Sequence, residues 1–165
     1  MKKKRIPPKP GQESVWDYPR PPRLESTSKH VRILHGEVIL ADTNRAYRLL
    51  ETSHPPVYYL PPSDIRMELL QQQDDRRSYC EFKGAAAYWD ILIPGHERKG
   101  VAWSYPEPSG AYRAIAGYLA FYPSRLDACY VADERVEAQE GDFYGGWITP
   151  EIVGPFKGGP GTWGW

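Results

Sequence analysis

The sequence predicts a single compact, mainly β, barrel-like domain of antiparallel strands, with one short helix and extended N- and C-terminal arms. Three observations support this fold class. Turn-forming residues recur roughly every 8 to 12 positions, a spacing typical of antiparallel all-β domains. No segment keeps a helical period over several turns. The 6 Trp, 12 Tyr and 4 Phe among 165 residues favour β structure and stacking surfaces.

The first predicted strands follow one another from about residue 30. HVRIL and VILA flank the glycine-containing turn HGE, RAYRLLE forms a third short strand or irregular ladder, and VYYL is the next strand. PPSDIRMELL predicts the single short helix, because Ser63 or Asp64 can cap it. Ile65, Met67 and Leu69 would then form its apolar side.

The second half of the sheet is predicted to begin with RRSYCEF, whose alternation places Ser78, Cys80 and Phe82 on one face. AAAYWDILI returns as a long strand after a turn at Lys83-Gly84. VAWSY follows the hairpin loop PGHERKG, and GYLAFY follows the proline-rich loop PEPSGAYRAI. ACYVADERVEA closes the domain with two short strands.

Composition divides the chain into three parts: a basic, proline-rich arm (residues 1–28), the β-domain (29–138) and a Gly-, Pro- and aromatic-rich arm (139–165). Val15, Trp16 and Tyr18 are costly to leave in water, so we expect the first arm to lie against the domain. The second arm cannot build a core of its own. We expect it to wrap the domain or to dock on a partner.

The charge of the chain favours no particular class of macromolecular partner. Lys and Arg together number 21, as do Asp and Glu, so net charge attracts neither nucleic acid nor a membrane. The basic start MKKKRIPPK is typical of a solubilising tail or a weak anion tether. No apolar run approaches the roughly 20 residues of a membrane helix. We expect a soluble, cytoplasmic protein without nucleic-acid or membrane partners, and a homo-oligomer remains open.

The cysteine and histidine pattern predicts neither a metal site nor another cofactor. Cys80 and Cys129 are far apart and form no CxxC motif, and the four histidines are scattered, at His30, His35, His54 and His96. A structural zinc site needs a closely spaced set of such ligands. We therefore expect two reduced, mostly buried thiols and no metal.

Phosphoryl and nucleotidyl transfer lack their motifs in this sequence. Such chemistry needs a Gly-Ser motif with paired acidic residues for magnesium, or a P-loop lysine. The glycines of GGPGTWGW come without that lysine and without a strand-to-helix context. The sequence argues against both reactions.

The segment ETSHPPVYYLPP contains the first candidate site residue, His54. Its prolines restrict φ and remove backbone donors, so the turn between the two strands is rigid. His54 is either a general acid or base near physiological pH or a corner histidine bonded to backbone. Because side chains alternate along a strand, Tyr58 and Tyr59 face opposite sides, and only one of them can join His54.

The segment YCEFKG contains the densest reactive cluster, Cys80, Glu81 and Lys83. Glu81 and Lys83 share a face of the strand, whereas Cys80 points the other way, which favours a core thiol. Lys83 either pairs with Glu81 or another nearby acid or, if desolvated by aromatic neighbours, serves as a base or an imine-forming amine. We take His54, Lys83 and Glu81 as candidate catalytic residues and predict that His54 and Lys83 converge on one cavity.

The candidate ligand-binding residues are aromatic side chains that could line a cage for flat rings or cations, and ionised side chains that are costly to bury alone. They are Tyr58, Tyr59, Arg66, Tyr88, Trp103, Tyr105, Glu107 and Tyr122. Core packing is the competing explanation for the aromatic residues. Arg66 either pairs with Asp127 or Glu107, or recognises a carboxylate.

Four segments in fixed order, ETSHPPVYYLPPSDIRMELL, SYCEFKGAAAYW, AWSYPEP and GYLAFYPSRLD, resemble the domain-of-unknown-function family 427. The resemblance covers about residues 28–130, and the tail GGWITPEIVGPFKGGPGTWGW resembles that of longer members. It implies a fold similar to the β-tent group, which includes the thalidomide-binding domain of cereblon and methionine sulfoxide reductase B. Those proteins often hold zinc through paired CxxC motifs, which this sequence lacks.

Two classes of function fit these observations. The first is a small-molecule-binding protein, in its stronger form a metal-free enzyme that uses His54, Lys83 and Glu81 in an aromatic cleft. The second is a non-enzymatic binding or assembly module whose aromatic arms contact another protein. A pocket of roughly 300 Å³ or more, ringed by the four motifs, would favour the first class. A solid core with a flat aromatic patch would favour the second.

Overall fold

The computed structural model describes residues 4–80, 83–141 and 143–165, and the side chains within these ranges except those of residues 75–80. The mainly β fold class is confirmed. The strands of the described residues are β1 (Glu13–Ser14), β2 (Arg23–Thr27), β3 (Val31–His35), β4 (Val38–Thr43), β5 (Ala46–Leu50), β6 (Val57–Leu60), β7 (Leu70–Cys80), β8 (Gly84–Ile91), β9 (Arg98–Ser104), β10 (Leu119–Phe121), β11 (Ala128–Val131), β12 (Glu134–Arg135), β13 (Glu137–Ala138), β14 (Trp147–Ile148) and β15 (Ile152–Val153).

Two antiparallel sheets form the body of the domain. The larger has seven strands in the order β2-β5-β6-β10-β9-β8-β7, and the smaller has four in the order β12-β11-β3-β4. β2 and β7 are the edges of the larger sheet, so the domain is a pair of packed sheets rather than a closed barrel. Two-stranded pairings, β1 with β15 and β13 with β14, complete the described strands.

The β3–β4 hairpin turns at Gly36-Glu37, as the sequence predicts. Both residues have positive φ, 56° and 64°, which matches the tight turns that suit the twist of a hairpin. Glycine is needed at Gly36 for space as well, because an added Cβ would lie 2.9 Å from Cγ of His96. The carboxylate of Asp127 accepts a hydrogen bond from the Gly36 N–H at 2.9 Å.

The predicted short helix is replaced by two turns of 3-10 helix, Pro62–Asp64 and Met67–Leu69. Ile65 lies between them in extended conformation and bridges to Ala41 of β4, which interrupts any continuous helix. The predicted side-chain cap at Ser63 or Asp64 is wrong, since Asp64 instead accepts a hydrogen bond from Thr43 Oγ1.

The remaining 3-10 turns of the described residues are Val15–Asp17, Gly110–Ile115 and Pro123–Arg125. No helical segment in the described ranges has both the length and the apolar character that a membrane span needs.

The main hydrophobic core combines residues of both sheets. Ile33 of β3, Leu40 of β4, Val101 of β9 and Phe121 of β10 are fully buried in it. Cys129 of β11 lies in the same core, where burial raises the pKa of its thiol to about 12. The prediction of a buried thiol is therefore confirmed for Cys129. The side chain of Cys80 lies outside the described residues.

The N-terminal arm packs on the domain, as expected from its apolar residues. Val15, Trp16 and Tyr18 are buried in a cluster with Leu50 of β5 and Ile152 of the C-terminal arm. Strand β1 pairs in parallel with β15, so the two arms also hydrogen-bond to each other. The division of the chain at residues 28 and 138 stays a prediction.

The C-terminal arm is anchored by Trp147. Its indole is fully buried in the main core and lies 5.0 Å from the ring of Tyr58. Its Nε1–H donates to the carbonyl of Phe121 at 3.0 Å, and its backbone N–H donates to the carbonyl of Pro56 at 2.8 Å. The arm is thus attached both to the sheet and to the turn that precedes β6.

Replacing Trp147 should therefore destabilise the whole domain. We expect Trp147→Ala to lower the free energy of unfolding by about 3–5 kcal/mol, because it removes a large core side chain and leaves the Phe121 carbonyl unpaired. Trp163 of the same arm is 86% exposed, so Trp163→Ala should change stability by less than about 0.5 kcal/mol. Urea denaturation of the two variants measures the difference, and equal losses would contradict the anchoring role of Trp147.

Candidate functional site

One face of the larger sheet carries a row of aromatic side chains across its strands. Tyr47 opposes Tyr59, Tyr59 opposes Ala120, Ala120 opposes Trp103, and Trp103 opposes Tyr88. Directly opposed residues lie on the same face of a sheet. The predicted site residues Tyr59, Trp103 and Tyr88 therefore form one surface.

Further aromatic residues from the ends of β9 and β10 complete this cluster. Tyr122 lies 4.6 Å from Trp103 between ring centroids, and Tyr105 lies 6.5 Å from Tyr59. The indole Nε1–H of Trp103 donates to the hydroxyl of Tyr59 at 3.3 Å. We call this group the aromatic cluster; its buried aromatic members are Tyr59, Trp103, Tyr105, Tyr112 and Tyr122.

The two adjacent tyrosines of VYYL divide between the faces of the sheet, as alternation predicts. Tyr59 belongs to the aromatic cluster, whereas Tyr58 packs in the main core beside Trp147. Tyr58 opposes Arg48 in the sheet and hydrogen-bonds to its side chain. Burial raises the pKa of Tyr58, which keeps its hydroxyl protonated. The predicted ligand-binding residue Tyr58 is thus placed away from the aromatic cluster.

Lys83 borders the aromatic cluster at the turn before β8. Its side chain is buried, with 8% exposure, and its Nζ lies 5.7 Å from the ring centroid of Tyr105. The next residue, Gly84, has φ of 90°, and a Cβ there would lie 3.1 Å from the carbonyl oxygen of Glu107. This close approach of two backbones requires glycine and holds Lys83 in place.

The described side chains form ion pairs with N–O distances of up to 4.0 Å. None of these ion pairs includes Lys83. Its predicted partner, Glu81, lies outside the described residues. The face of the Tyr105 ring is therefore the described group that compensates the charge of Lys83.

His54 is held in the turn between β5 and β6 by unusual backbone. The preceding residue, Ser53, has φ of 71° and is fully buried. Its N–H donates to the carbonyl of Val15, and its carbonyl accepts from the N–H of Lys157, so both arms bind this residue. These two bonds stabilise a conformation that L-residues seldom adopt. The direction of the His54 side chain thus depends on both arms.

The imidazole of His54 lies beneath the C-terminal arm. Gln139 Nε2 is 3.3 Å from its Nδ1, and the ring of Tyr144 lies 5.2 Å away, nearly edge-on. The carboxylate of Glu51 is 4.0 Å from Nε2. His54 is therefore a partly buried side chain, 15% exposed, whose described neighbours come mostly from residues 85 or more positions later in the chain.

The pKa of His54 is lowered from 6.5 to about 4. Burial is the largest cause, because it disfavours the charged ring. Glu51 opposes the shift, whereas the positive charges of Lys157, Arg20 and Lys83 lower the pKa further. At neutral pH the ring is uncharged. Lys83 and His54 thus interact electrostatically, and their convergence on one cavity stays a prediction.

The C-terminal arm also contacts the aromatic cluster. A Cβ added at Gly145 would overlap the six-membered ring of Trp103, and one added at Gly146 would lie 2.8 Å from Cγ of Pro55. The segment Tyr144-Gly145-Gly146 therefore passes over both Trp103 and the turn that carries His54. Two glycines are required there because no side chain fits between the arm and the sheet.

Arg66 and Glu107 lie at the surface. The Nε of Arg66 is 3.4 Å from Glu68, so the predicted pairing of Arg66 with Asp127 or Glu107 is wrong. Asp127 instead accepts the N–H of Gly36, the main cause that lowers its pKa.

A polar cleft of about 250 Å³ opens where the two arms meet the larger sheet; its lining residues are Gly11, Glu13, Glu25, Thr27, Lys29, Arg48 and Glu151. Its charges are paired with one another, since Arg48 contacts Glu13 at 2.7 Å and Glu25 at 3.2 Å, and Lys29 pairs with Glu151. Because Arg48 shares a face with Tyr58, this cleft lies opposite the aromatic cluster. It is therefore not the pocket that the small-molecule hypothesis requires.

Within the described ranges, no three His, Cys, Asp or Glu side chains lie close enough together to hold a metal ion. Buried His35 and exposed His96 are joined by a hydrogen bond between the His35 ring and the His96 carbonyl at 2.9 Å, which is a structural contact.

The family model of a domain of unknown function (DUF427) matches residues 23–132. The chain belongs to this family. The DUF427 match runs from β2 to the end of β11 and contains both His54 and Lys83. Gln139, Tyr144 and Lys157 lie beyond it. A comparison with curated proteins finds no match.

Sequence reasoning missed the three residues of the C-terminal arm that surround His54, namely Gln139, Tyr144 and Lys157. The aromatic and glycine content of the arm was the available signal, because it indicated that the arm packs on something. Gln139 lies in the polar run EAQEGD, which gives no sign that its side chain is buried.

The lowered pKa of His54 predicts a pH-dependent stability. Between pH 6.5 and about 4 the unfolded chain binds a proton at His54 that the folded chain does not. The contribution of His54 to the free energy of unfolding is fully present above pH 6.5 and is lost as the pH falls from 6.5 to about 4. The loss amounts to at most roughly 3 kcal/mol and does not grow further at lower pH. Urea denaturation from pH 4 to 7.5 should show this loss in the wild type and not in His54→Gln.

The matched control is His30→Gln, because His30 is a half-exposed residue paired with Asp42 at the surface. That variant should keep the pH dependence of the wild type. If His54→Gln keeps this pH dependence as well, the lowered pKa of His54 is not its cause.

Proposed function

We propose that the protein binds a small organic molecule carrying an anionic or carbonyl oxygen, at the border of the aromatic cluster between Lys83 and His54. The observation that supports this most is the burial of Lys83 without an ion pair to a described carboxylate. Removing an ammonium from water costs several kcal/mol. A contact with one tyrosine ring offsets only about 1–2 kcal/mol of that cost.

A bound anion would supply the compensation that the described residues do not. It would sit on the Nζ of Lys83, and the low polarity of the surrounding aromatic side chains would strengthen the attraction. Residues whose charge is costly to keep buried are often retained for binding or catalysis. Gly145 lies against Trp103 and Gly146 against Pro55, so the turn of His54 adjoins the aromatic cluster, and His54 would add a second polar group for the same ligand.

The aromatic cluster supports the organic character of the ligand. Ligand sites are mostly apolar, with a few polar groups that orient the bound molecule. Trp103, Tyr105 and Tyr122 would provide the apolar wall, and Lys83 with His54 would provide the orientation. In the enzymatic form of the proposal, Lys83 is an anchor or an amine nucleophile for a carbonyl compound, and Glu81 assists it.

A ligand screen on Lys83→Met tests the proposal. The panel contains small carboxylates, aldehydes and ketones, and binding is measured by thermal shift and then by calorimetry. We expect some compounds to stabilise the wild type and to bind Lys83→Met about 10- to 100-fold more weakly, the loss expected for a hydrogen bond to a charged group. Borohydride treatment followed by intact-mass measurement would detect an imine at Lys83.

Lys99→Met is the matched control, because Lys99 is an exposed lysine of β9. It should bind the same compounds as the wild type. A panel without any stabilising compound, or equal affinity of Lys83→Met and the wild type, would overturn the proposal.

The alternative is an assembly module, and one observation favours it. Phe143 and Trp163 of the C-terminal arm are 82% and 86% exposed. Large apolar side chains at the surface often mark contact sites with other proteins. This alternative predicts that the wild type self-associates and that Phe143→Ser/Trp163→Ser is monomeric. Sedimentation velocity compares the two proteins, and identical sedimentation would exclude self-association through these side chains.

A further inference from the structure

The buried amide of Gln139 has an orientation that its own neighbours determine. Its side chain is only 4% exposed. Its Oε1 accepts a hydrogen bond from the backbone N–H of Gly146 at 3.2 Å, and its Nε2 donates to the carbonyl of Lys157 at 2.6 Å. Exchanging the two amide atoms would place two acceptors against each other at Lys157 and two donors at Gly146. Only the orientation with Nε2 towards Lys157 satisfies both partners.

This orientation decides where the proton of His54 lies. The amide group of Gln139 has two N–H bonds, and the one not used by Lys157 faces the Nδ1 of His54 at 3.3 Å. A ring nitrogen that meets a donor has to be the acceptor, so Nδ1 carries no proton. The uncharged ring of His54 then carries its proton on Nε2.

The surroundings of Nε2 leave this proton available. Among the described residues, Glu51 is the carboxylate beside Nε2, and its oxygen is 4.0 Å away, beyond hydrogen-bond distance. That oxygen is also paired with Arg20 at 3.3 Å. The remaining charged groups that act on the ring are the cations Lys157 and Lys83.

We infer that Gln139 is a positioning residue that holds His54 as an Nε2–H donor, so that His54 and Lys83 together form a two-donor site for one anionic oxygen. This inference rests on the proposed function for its ligand, and on the hydrogen bonds of Gln139 for the state of His54. The ligand class follows from the donors. It is a carboxylate, or a carbonyl compound whose oxygen becomes negative during a reaction.

The inference changes the role expected for His54. A proton shuttle accepts a proton and releases it again, and Nδ1 cannot accept one while Gln139 donates to it. An uncharged imidazole that donates from Nε2 stabilises negative charge without transferring its proton. His54 is therefore an electrostatic partner of Lys83, and any base in a reaction at this site is another group.

Nitrogen NMR of the ligand-free protein tests the state of His54 directly. The chemical shifts of the ring nitrogens distinguish a protonated from an unprotonated position. We expect Nε2 protonated and Nδ1 unprotonated at pH 7 in the wild type. In Gln139→Glu the carboxylate can only accept, so the proton should move to Nδ1 and the pKa of His54 should rise. Gln71→Glu, an exposed change of the same chemistry on β7, should leave both unchanged.

The wild-type spectrum is decisive by itself, even if Gln139→Glu does not fold. A proton on Nδ1 in the wild type overturns the inference. An unchanged ring in a folded Gln139→Glu variant overturns it as well, because a merely structural Gln139 would not determine the tautomer.

Benzoate, an aromatic carboxylate, is the probe for the ligand class. We expect benzoate to shift the Nε2 resonance of His54 while Nδ1 stays unprotonated, and to have no such effect in Lys83→Met. If benzoate binds at Lys83 and His54 protonates on Nδ1, the two-donor site is wrong and the proposed function stands. If Nε2 carries the proton but neither benzoate nor any compound of the screening panel binds, the proposed function fails and the assignment of the two-donor site to a ligand fails with it.

Discussion

The hydrogen bond from the Trp147 backbone N–H to the Pro56 carbonyl joins the C-terminal arm to the turn that carries His54. The positions of the arm and of the turn depend on this attachment. The indole of Trp147 is buried in the main core. The preceding residues, Gly145 and Gly146, pass over Trp103 and Pro55. The rigid Pro55-Pro56 backbone gives the arm a fixed surface to bind. The C-terminal arm thereby covers the turn that carries His54.

His54 and Lys83, the two candidate residues, have different electrostatic surroundings. His54 loses its charge, since its pKa falls to about 4 and a neutral imidazole can still satisfy Gln139 as an acceptor. Lys83 lies against an aromatic ring and outside every ion pair of the described side chains. In the proposed site, the uncharged imidazole and the ammonium would both donate hydrogen bonds to a negatively charged oxygen. By contrast, the cleft around Arg48 has carboxylates and cations already paired with one another, so its electrostatics are satisfied internally.

The DUF427 match covers the seven-stranded sheet, β3, β4 and β11 of the smaller sheet, His54 and Lys83, and it ends before the arm residues that complete the surroundings of His54. The aromatic cluster and Lys83 belong to the matched region, whereas Gln139, Tyr144 and Lys157 belong to the arm. The region that positions Lys83 and the segment that determines the proton of His54 are thus separate parts of the chain. Changes in the arm could alter His54 without changing the sheet.

Much of the fold followed from local patterns. Alternation separated Tyr58 from Tyr59, and the Gly36 turn predicted the β3–β4 hairpin, because both depend only on neighbouring residues. Two 3-10 turns replace the predicted helix because Ile65 forms a β-bridge with Ala41. Local helix propensity cannot predict such a contact between residues distant in the sequence. The partner of His54 is likewise 85 residues away, and its amide orientation depends on Gly146 and Lys157. By itself, the sequence determined the strands, their faces and the residue types available for chemistry. Only the tertiary structure decided which of those residues meet and where the proton of His54 lies, because hydrogen-bond partners and desolvation exist only once distant segments have packed together.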